Sequence, residues 1–300
     1  MTYSFKIREI ESSLLYLDAM SQYKNASELN NLTLGKATEY TSQYQPSLLQ
    51  AVPRSLNRDE LNLNQTNLPF FGEDVWYGFE VSWLNTKGKP IVRIAEFRFP
   101  CTSPNIVESK SFKLYLNSFN QTKFESEQEV VDLMTKDLSQ TCGTKAEVNL
   151  FPVDNCPALT IKSLEAVCID ELDVEMDNYQ LNPDFLKLTE NAETVDESLV
   201  SHLLKSNCLI TNQPDWASVY IQYSGNKICH KSLLQYLISF REHNEFHEQC
   251  VERIYFDLME HCQPNSLTVY ARYTRRGGLD INPLRSSKDI KASDARTPRQ

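Results

Sequence analysis

No apolar run in the 300 residues is long enough to span a bilayer, and the first turn-lengths of chain are broken by Lys6, Arg8, Glu9 and Glu11. Neither a membrane anchor nor a secretory leader is expected, so the cytoplasm is the expected compartment. The eight cysteines, at positions 101, 142, 156, 168, 208, 229, 250 and 262, include no close pair. Without an export signal they are expected as reduced thiols, free to react. No Gly-x-Gly-x-x-Gly run follows a strand-like segment and no Walker-type lysine loop occurs, so any nucleotide cofactor has to bind by another route. A formal net charge of -10 leaves no broad basic surface. Direct binding of long nucleic acid is therefore not expected, despite the local cations Arg272, Arg275 and Arg276, and a small ligand is the better match.

What is present is a repeat. The segment 110–119 (KSFKLYLNSF) matches 231–240 (KSLLQYLISF), with Lys, Ser, Tyr, Leu, Ser and Phe in corresponding places. Both copies set apolar residues at i, i+3, i+4 and i+7: Phe112, Tyr115, Leu116 and Phe119 in one, Leu233, Tyr236, Leu237 and Phe240 in the other. That is the stripe of an amphipathic helix lying on a sheet. Strand-like Tyr77 to Leu84 and Ile91 to Phe99, joined through Lys87, Gly88 and Lys89, precede the first copy. Ser218 to Tyr223 and a turn at Ser224, Gly225 and Asn226 precede the second. A second helical stripe follows in each half (Val130, Val131, Met134, Leu138; Phe246, Cys250, Ile254, Leu258), and strands return at Ala146 to Phe151 and Leu267 to Thr274.

The order ββααββ in each half predicts an α+β fold of two tandem modules, each an antiparallel sheet with two helices on one face. Free sheet edges suit self-association. The expected boundaries are an N-terminal extension at 1–31, a first module at 32–169, an acidic linker at 170–198 around Asn182-Pro183, a second module at 199–286 and a polar tail at 287–300.

The halves differ in their polar residues, which is where chemistry is sought. In the second, Cys208 is followed seven residues later by Asp215, with Asn212 to Pro214 between them. A turn there would fold the acid back towards the sulfur, pairing a nucleophile with a proton carrier. On residue types alone, a buried cysteine and a turn aspartate fit as well. His247 and Glu248 enter the second module's second helix; side by side they suit the hydrogen-bonding edges of a purine-like ring, or simply a helix N-terminus. Glu108, at the entrance to the first half's leading helix, could do the same. Arg275, Arg276, Gly277 and Gly278 end a strand and, with Lys110, could meet phosphate, or could form a glycine hairpin with solvated arginines. His243 and His247 have the i, i+4 spacing of a zinc pair, but no further ligands stand at a zinc interval and no metal is expected.

Taken together, Glu108-Ser109-Lys110-Ser111-x-Lys113-x-Tyr115, the Cys-x6-Asp pair of Cys208 and Asp215, Phe246-His247-Glu248 and Arg275-Arg276-Gly277-Gly278 resemble the NADPH-dependent 7-cyano-7-deazaguanine reductases in their long form, two tandem tunnelling-fold modules. The resemblance covers about residues 32 to 290. It implies reduction of a nitrile on a deazaguanine base to 7-aminomethyl-7-deazaguanine, a step towards queuosine in tRNA, with NADPH as cofactor and no metal. By the same resemblance Cys208 forms a covalent thioimide and Asp215 handles protons. Val107, Glu108, Ser109, His247 and Glu248 hold the base, Ser109, Lys110, Arg276 and Gly277 hold NADPH, and the chain is a homodimer. Two other functions compatible with the fold are a cyclohydrolase-like enzyme acting on a purine or pterin, which would use water and zinc, and a non-catalytic ligand-binding module.

Overall fold

Two long hairpins, each followed by two helices, carry the repeat into three dimensions in the computed structural model, which describes residues 27–29, 40–156, 160–162, 164–191 and 193–300. A short strand, Ala51–Pro53 (β1), and a helix, Ser55–Glu60 (α1), lead into the first hairpin, Phe71–Leu84 (β2) and Pro90–Pro100 (β3). Strand Asn105–Val107 (β4) pairs with β1, and helices Ser109–Ser118 (α2) and Glu127–Cys142 (α3) with strand Glu147–Phe151 (β5) complete the first half. The second half contains Val167–Cys168 (β6), Thr194–Asn207 (β7), Pro214–Asn226 (β8), His230–Ile238 (α4), His247–Cys262 (α5), Ser266–Tyr273 (β9) and Leu279–Ser286 (β10).

Alternation along the strands places the core. Ala95, Phe97 and Phe99 of β3 point one way, with Trp76, Val81 and Trp83 of β2, and meet the predicted stripes of α2 and α3. Ala217, Val219, Ile221 and Tyr223 of β8 do the same against α4 and α5. Eight strands form one sheet in the order β5-β3-β2-β10-β9-β8-β7-β6, antiparallel except for β6 on β7. The halves are joined by β10, which pairs with β9 on one side and with β2 on the other. The expected ββααββ order is complete in the second half; in the first, the place beside β2 is taken by β10 of the other half.

The duplication extends to hydrogen bonds. Tyr115 Oη donates to Asp137 at 2.8 Å, tying α2 to α3, and Tyr236 Oη donates to Asp257 at 2.6 Å, tying α4 to α5. A 3-10 turn led by proline straps the leading helix in each half. Gln45 N–H donates to Ser118 Oγ at 3.1 Å beside Pro46–Leu48, and Asn182 N–H donates to Ser239 Oγ at 3.2 Å beside Pro183–Phe185. The acidic stretch 170–198 thus contains the second half's strap and the first residues of β7. Its composition hides this because exposed Glu171, Asp173 and Glu175 alternate with half-buried Leu172 and Val174.

The tail 287–300 is equally structured. It crosses the sheet face opposite the helices, where Gln300 accepts from Arg272 Nε at 2.7 Å and donates to Asn282 at 2.7 Å. A buried arginine needs such acceptors, which is why a polar tail packs here. Of the N-terminal extension, only Ser27–Leu29 falls among the described residues, and Leu29 is buried with Val52, Ile106, Leu209 and Phe246.

At the seam of the halves lies a cluster of buried charge. Arg54 and Arg58 of the α1 region, Asp74 of β2, Glu252 of α5 and Arg285 of β10 are each at most 2% exposed. Arg285 bridges Asp74 at 2.8 Å and Glu252 at 2.8 Å; Arg58 reaches Glu252 at 2.7 Å and Arg54 reaches Asp74 at 2.5 Å. Removing one member strands the others in low dielectric. Glu252→Gln is expected to lower unfolding free energy by about 3–5 kcal/mol, read as a drop in denaturant midpoint. A midpoint matching the parent would show that the cluster does not hold the halves together.

Candidate active site

The turn between β7 and β8 is closed from within. Cys208 N–H donates to the Gln213 carbonyl at 2.8 Å, and Asn212 N–H donates back to the Cys208 carbonyl at 3.1 Å. Asn212 supplies the left-handed residue, φ 55°, that so tight a reversal needs. Below the turn Asn207 pairs with Pro214 and Ser206 with Asp215. The expected fold-back of Asp215 towards Cys208 is therefore built by hairpin register, and both side chains line a cavity of about 460 Å³.

That cavity lies between the halves. The first half lines it with Val107 of β4 and with Ser109, Lys110 and Lys113 of α2; the second supplies Cys208, Gln213, Asp215, Phe246, His247, Glu248 and Arg276. Of the residues singled out by sequence, Val107, Ser109, Lys110, Cys208, Asp215, His247, Glu248 and Arg276 all come together here.

Two stand just behind it. Glu108 is fully buried as the N-cap of α2, its carboxylate accepting the N–H groups of Lys110 and Ser111 at 2.7 Å each. This fixes the helix end that presents Ser109 and Lys110. Gly277, at φ 58°, borders the cation cluster: a Cβ there would lie 3.1 Å from Lys113 Cδ, so glycine leaves the room through which the lysine stem passes.

Glu248 differs from Glu108, although both sit at helix entrances. It is 2% exposed, faces the cavity and forms no ion pair among the described residues. Burial, reinforced by the charge of Asp74 and only partly offset by His247 and Arg54, pushes its carboxyl up to about 7. A carboxyl so placed is poised to accept hydrogen bonds from N–H groups of a ligand. His247 beside it packs edge-on against Tyr273, ring centroids 4.1 Å apart, and its Nε2 lies 3.4 Å from Asp215.

Asp215 is itself 3% exposed and bonded by Arg276, which also reaches Gln213. Burial raises its carboxyl pKa, but His247 and Arg276 outweigh that and hold it below the ordinary aspartate range. Asp215 is therefore a carboxylate, able to take a proton, while those neighbours stay in place. Ser109, Lys110, Lys113 and Arg276 together place three cations around one cavity of an otherwise acidic protein. That donor set fits the phosphates of an anionic dinucleotide.

Lys113 was within the motif but without a role there. Its spacing carried the signal, since i and i+4 put Lys113 on the same face of α2 as Ser109. Burial, with Arg276 nearby, lowers the pKa of its ammonium, which lies within electrostatic reach of Glu108, Asp215 and Cys208. The histidine pair considered for zinc is split, because His243 Nε2 is bonded to Glu245 at 2.8 Å and lies before α5 begins.

Residues 40–150 match the family model described as "Nitrile reductase, 7-cyano-7-deazaguanine-reductase N-term", and residues 214–292 match that described as "QueF-like protein". A protein of Colwellia psychrerythraea (strain 34H) named NADPH-dependent 7-cyano-7-deazaguanine reductase is 65% identical over 286 residues, spanning 94% of this chain and 100% of that protein. An identity that high over nearly the whole length, on a chain whose two halves close around one cavity, places it in a family: the chain belongs to the 7-cyano-7-deazaguanine reductases, a family of nitrile reductases.

Proposed function

We propose that this chain reduces the nitrile of 7-cyano-7-deazaguanine to the amine of 7-aminomethyl-7-deazaguanine, consuming two NADPH, on the route to queuosine in tRNA. The observation that carries this is a cysteine and an aspartate on one hairpin turn, opening on the cavity that Glu248 lines from across α5. Glu248 accepts hydrogen bonds from the N–H edge of the base, with His247 beside it, while Val107 and Ser109 border it from the other half. Glu108 contributes by holding the α2 N-terminus in place.

A nitrile carbon is a poor hydride acceptor. Addition of the Cys208 sulfur across C≡N forms a C–S bond and leaves a C=N that can be protonated, dividing one hard reduction into two easier ones. Asp215 takes the thiol proton and returns it to the nitrile nitrogen, which its ionised state permits. Bound NADPH supplies one hydride to each C=N stage. After the first hydride the C–S bond breaks, nitrogen keeps its proton and Cys208 leaves as a thiolate; Asp215 relays from solvent the proton that restores the thiol and the one that nitrogen takes up after the second hydride, so that nitrile, two NADPH and two protons give amine and two NADP⁺. Ser109, Lys110 and Arg276 are the residues placed for the cofactor's phosphates, with Gly277 giving the strand end its turn. If phosphate draws Arg276 away, Asp215 loses a partner that keeps it ionised and becomes the better acid.

We further infer a cytoplasmic homodimer that takes up the free base rather than nucleic acid. Among the described residues no helix is long and apolar enough to cross a membrane, and β5 has one unpaired edge on which a second copy can add.

NADPH absorbance in the presence of the cyano base tests the proposal: two NADPH are expected per amine formed. Cys208→Ala should lose at least about 10⁴-fold in turnover and Asp215→Asn about 10²–10⁴-fold. Loss of no NADPH, or unchanged turnover in Cys208→Ala, would overturn it.

Glu248 yields a separate pH test. Its folded-state value, about 7, lies above the ordinary 4.5, so the native protein binds more protons than the unfolded chain between them. Stability is present below pH 4.5 and declines as pH rises through about 7, by up to about 3 kcal/mol. Glu248→Gln removes this slope, so the variant is expected to gain on the parent in denaturant titrations at pH 8 relative to pH 5, while losing the base. Parallel pH profiles would show that Glu248 is not a strained, cavity-facing acid.

A further inference from the structure

The strand β6 is only Val167–Cys168, the sheet's one parallel pairing, and it lies at the edge of the sheet far along from the seam. Two backbone pairs hold such a strand weakly, yet the chain just after it is fastened to β7 by a side chain. Asp170 accepts from Ser201 Oγ at 2.7 Å and from the His202 N–H at 3.0 Å. His202 occupies a bulge in β7, between Ser201 and Leu204, where the register with β8 shifts. Bulges re-aim side chains. The corresponding bulge of β2, between Gly78 and Val81, carries Phe79, buried under Arg275 and Arg296. The duplication has thus kept the bulge and exchanged an apolar ring for an imidazole.

That imidazole is fixed: Nδ1 lies 2.8 Å from Ser218 Oγ on β8, which leaves Nε2 to face a ligand. Cys168 Sγ, a carboxylate oxygen of Asp170 and a ring nitrogen of His202 all lie within 4.8 Å of one another. None of the three lines the cavity between the halves. We propose that Cys168, Asp170 and His202 form a binding site for zinc, or a divalent transition metal of the same class, which clips β6 to β7.

The donor set selects the ion. A thiolate, an imidazole and a carboxylate suit zinc rather than magnesium or calcium, which prefer oxygen throughout. Tetrahedral zinc with bonds of about 2.0–2.3 Å holds its ligand atoms roughly 3.5 Å apart, so closure needs a movement of about an ångström. Exposed Cys168 can supply it by turning about χ1. Thiolate and carboxylate balance the charge of the ion, and the fourth position is left to water. Ser218 on His202, with Ser201 on Asp170, orients the ligands as outer partners do in zinc sites. Arg299 donates to the His202 carbonyl at 2.7 Å, so that its charge is met by the main chain.

Cobalt(II), whose thiolate complexes absorb in the near ultraviolet, is the probe. Full-length protein treated with a chelator and then titrated with Co²⁺ is expected to show a thiolate-to-cobalt band saturating at one equivalent, displaced by Zn²⁺. Cys208→Ser should keep the band, which separates this site from the catalytic thiol, and Cys168→Ser should abolish it. Ser218→Ala, which removes only the partner of His202, should weaken binding about 10–100-fold. Hydrogen exchange should slow across 164–172 when Zn²⁺ is added, in the parent and not in His202→Gln. Turnover of Cys168→Ser should equal that of the parent. Absence of the band, a band that survives Cys168→Ser, or exchange unaltered by Zn²⁺ in the parent would overturn the proposal. Apart from the turnover comparison, none of these readouts requires nitrile reduction, so failure there leaves the cobalt and exchange tests intact.

Discussion

Five buried charges at the seam fix what else the molecule can be. Asp74 and Glu252 are removed from water, a cost of several kcal/mol for each ion, and they remain ionised because Arg54, Arg58 and Arg285 surround them. Burial pushes Asp74 up, but Arg285 and Arg54 outweigh it and hold its carboxyl low. The members come from both halves, so neither half can be displaced without exposing or orphaning a charge. Glu252 lies one helical turn after Glu248 on α5, and the anchoring of the first sets the direction of the second. The charge of Asp74 also reaches Glu248 and helps to keep it reluctant to ionise. Structural cluster and binding carboxyl are thus parts of one electrostatic arrangement.

Duplication supplies the scaffold and divergence supplies the site. The Tyr–Asp ties, the proline-led straps and the strand bulges occur once in each half, with hydrogen bonds of nearly equal length. The site residues do not repeat. Where the first half has Glu108 as a cap bound to two backbone N–H groups, the second half has Cys229 at the N-cap of α4, with no hydrogen bond from its side chain to the helix end. The carboxyl that faces the cavity is instead Glu248, at the entrance to the second half's other helix. One half brings a helix end with cations, the other a thiol, an acid and the adjacent His247 and Glu248, and the strand β10 sealed onto β2 makes them a single wall.

The sequence made the helices legible because their stripes had a period that only an amphipathic helix satisfies, and the same stripes are buried. It brought eight of the site residues to notice through motifs, and these do line one cavity. Cys208 and Asp215 were legible as a pair because Asn212 and Pro214 demand a reversal. What was not legible depends on distant partners. The role of β10 as the joint follows from pairing with β2, some two hundred residues away, which no local pattern encodes. The strap at Pro183–Phe185 was masked by acids that alternate with half-buried residues, and the tail's burial by the polar residues that serve Arg272. Glu108 and Glu248 look alike as letters at helix entrances; what separates them is that Glu108 is bound by the N–H groups of Lys110 and Ser111 behind the cavity, whereas Glu248 lines it.

We propose that the central event is a covalent bond between Cys208 and the nitrile carbon, formed before any hydride arrives. Intact-mass spectrometry of the protein mixed with 7-cyano-7-deazaguanine, with NADPH withheld, measures that bond directly. The expected result is an increase equal to the mass of the whole base, on the peptide containing Cys208, reversed when NADPH is supplied. An unmodified mass under conditions where the same preparation turns over, or an adduct on another cysteine, would contradict it.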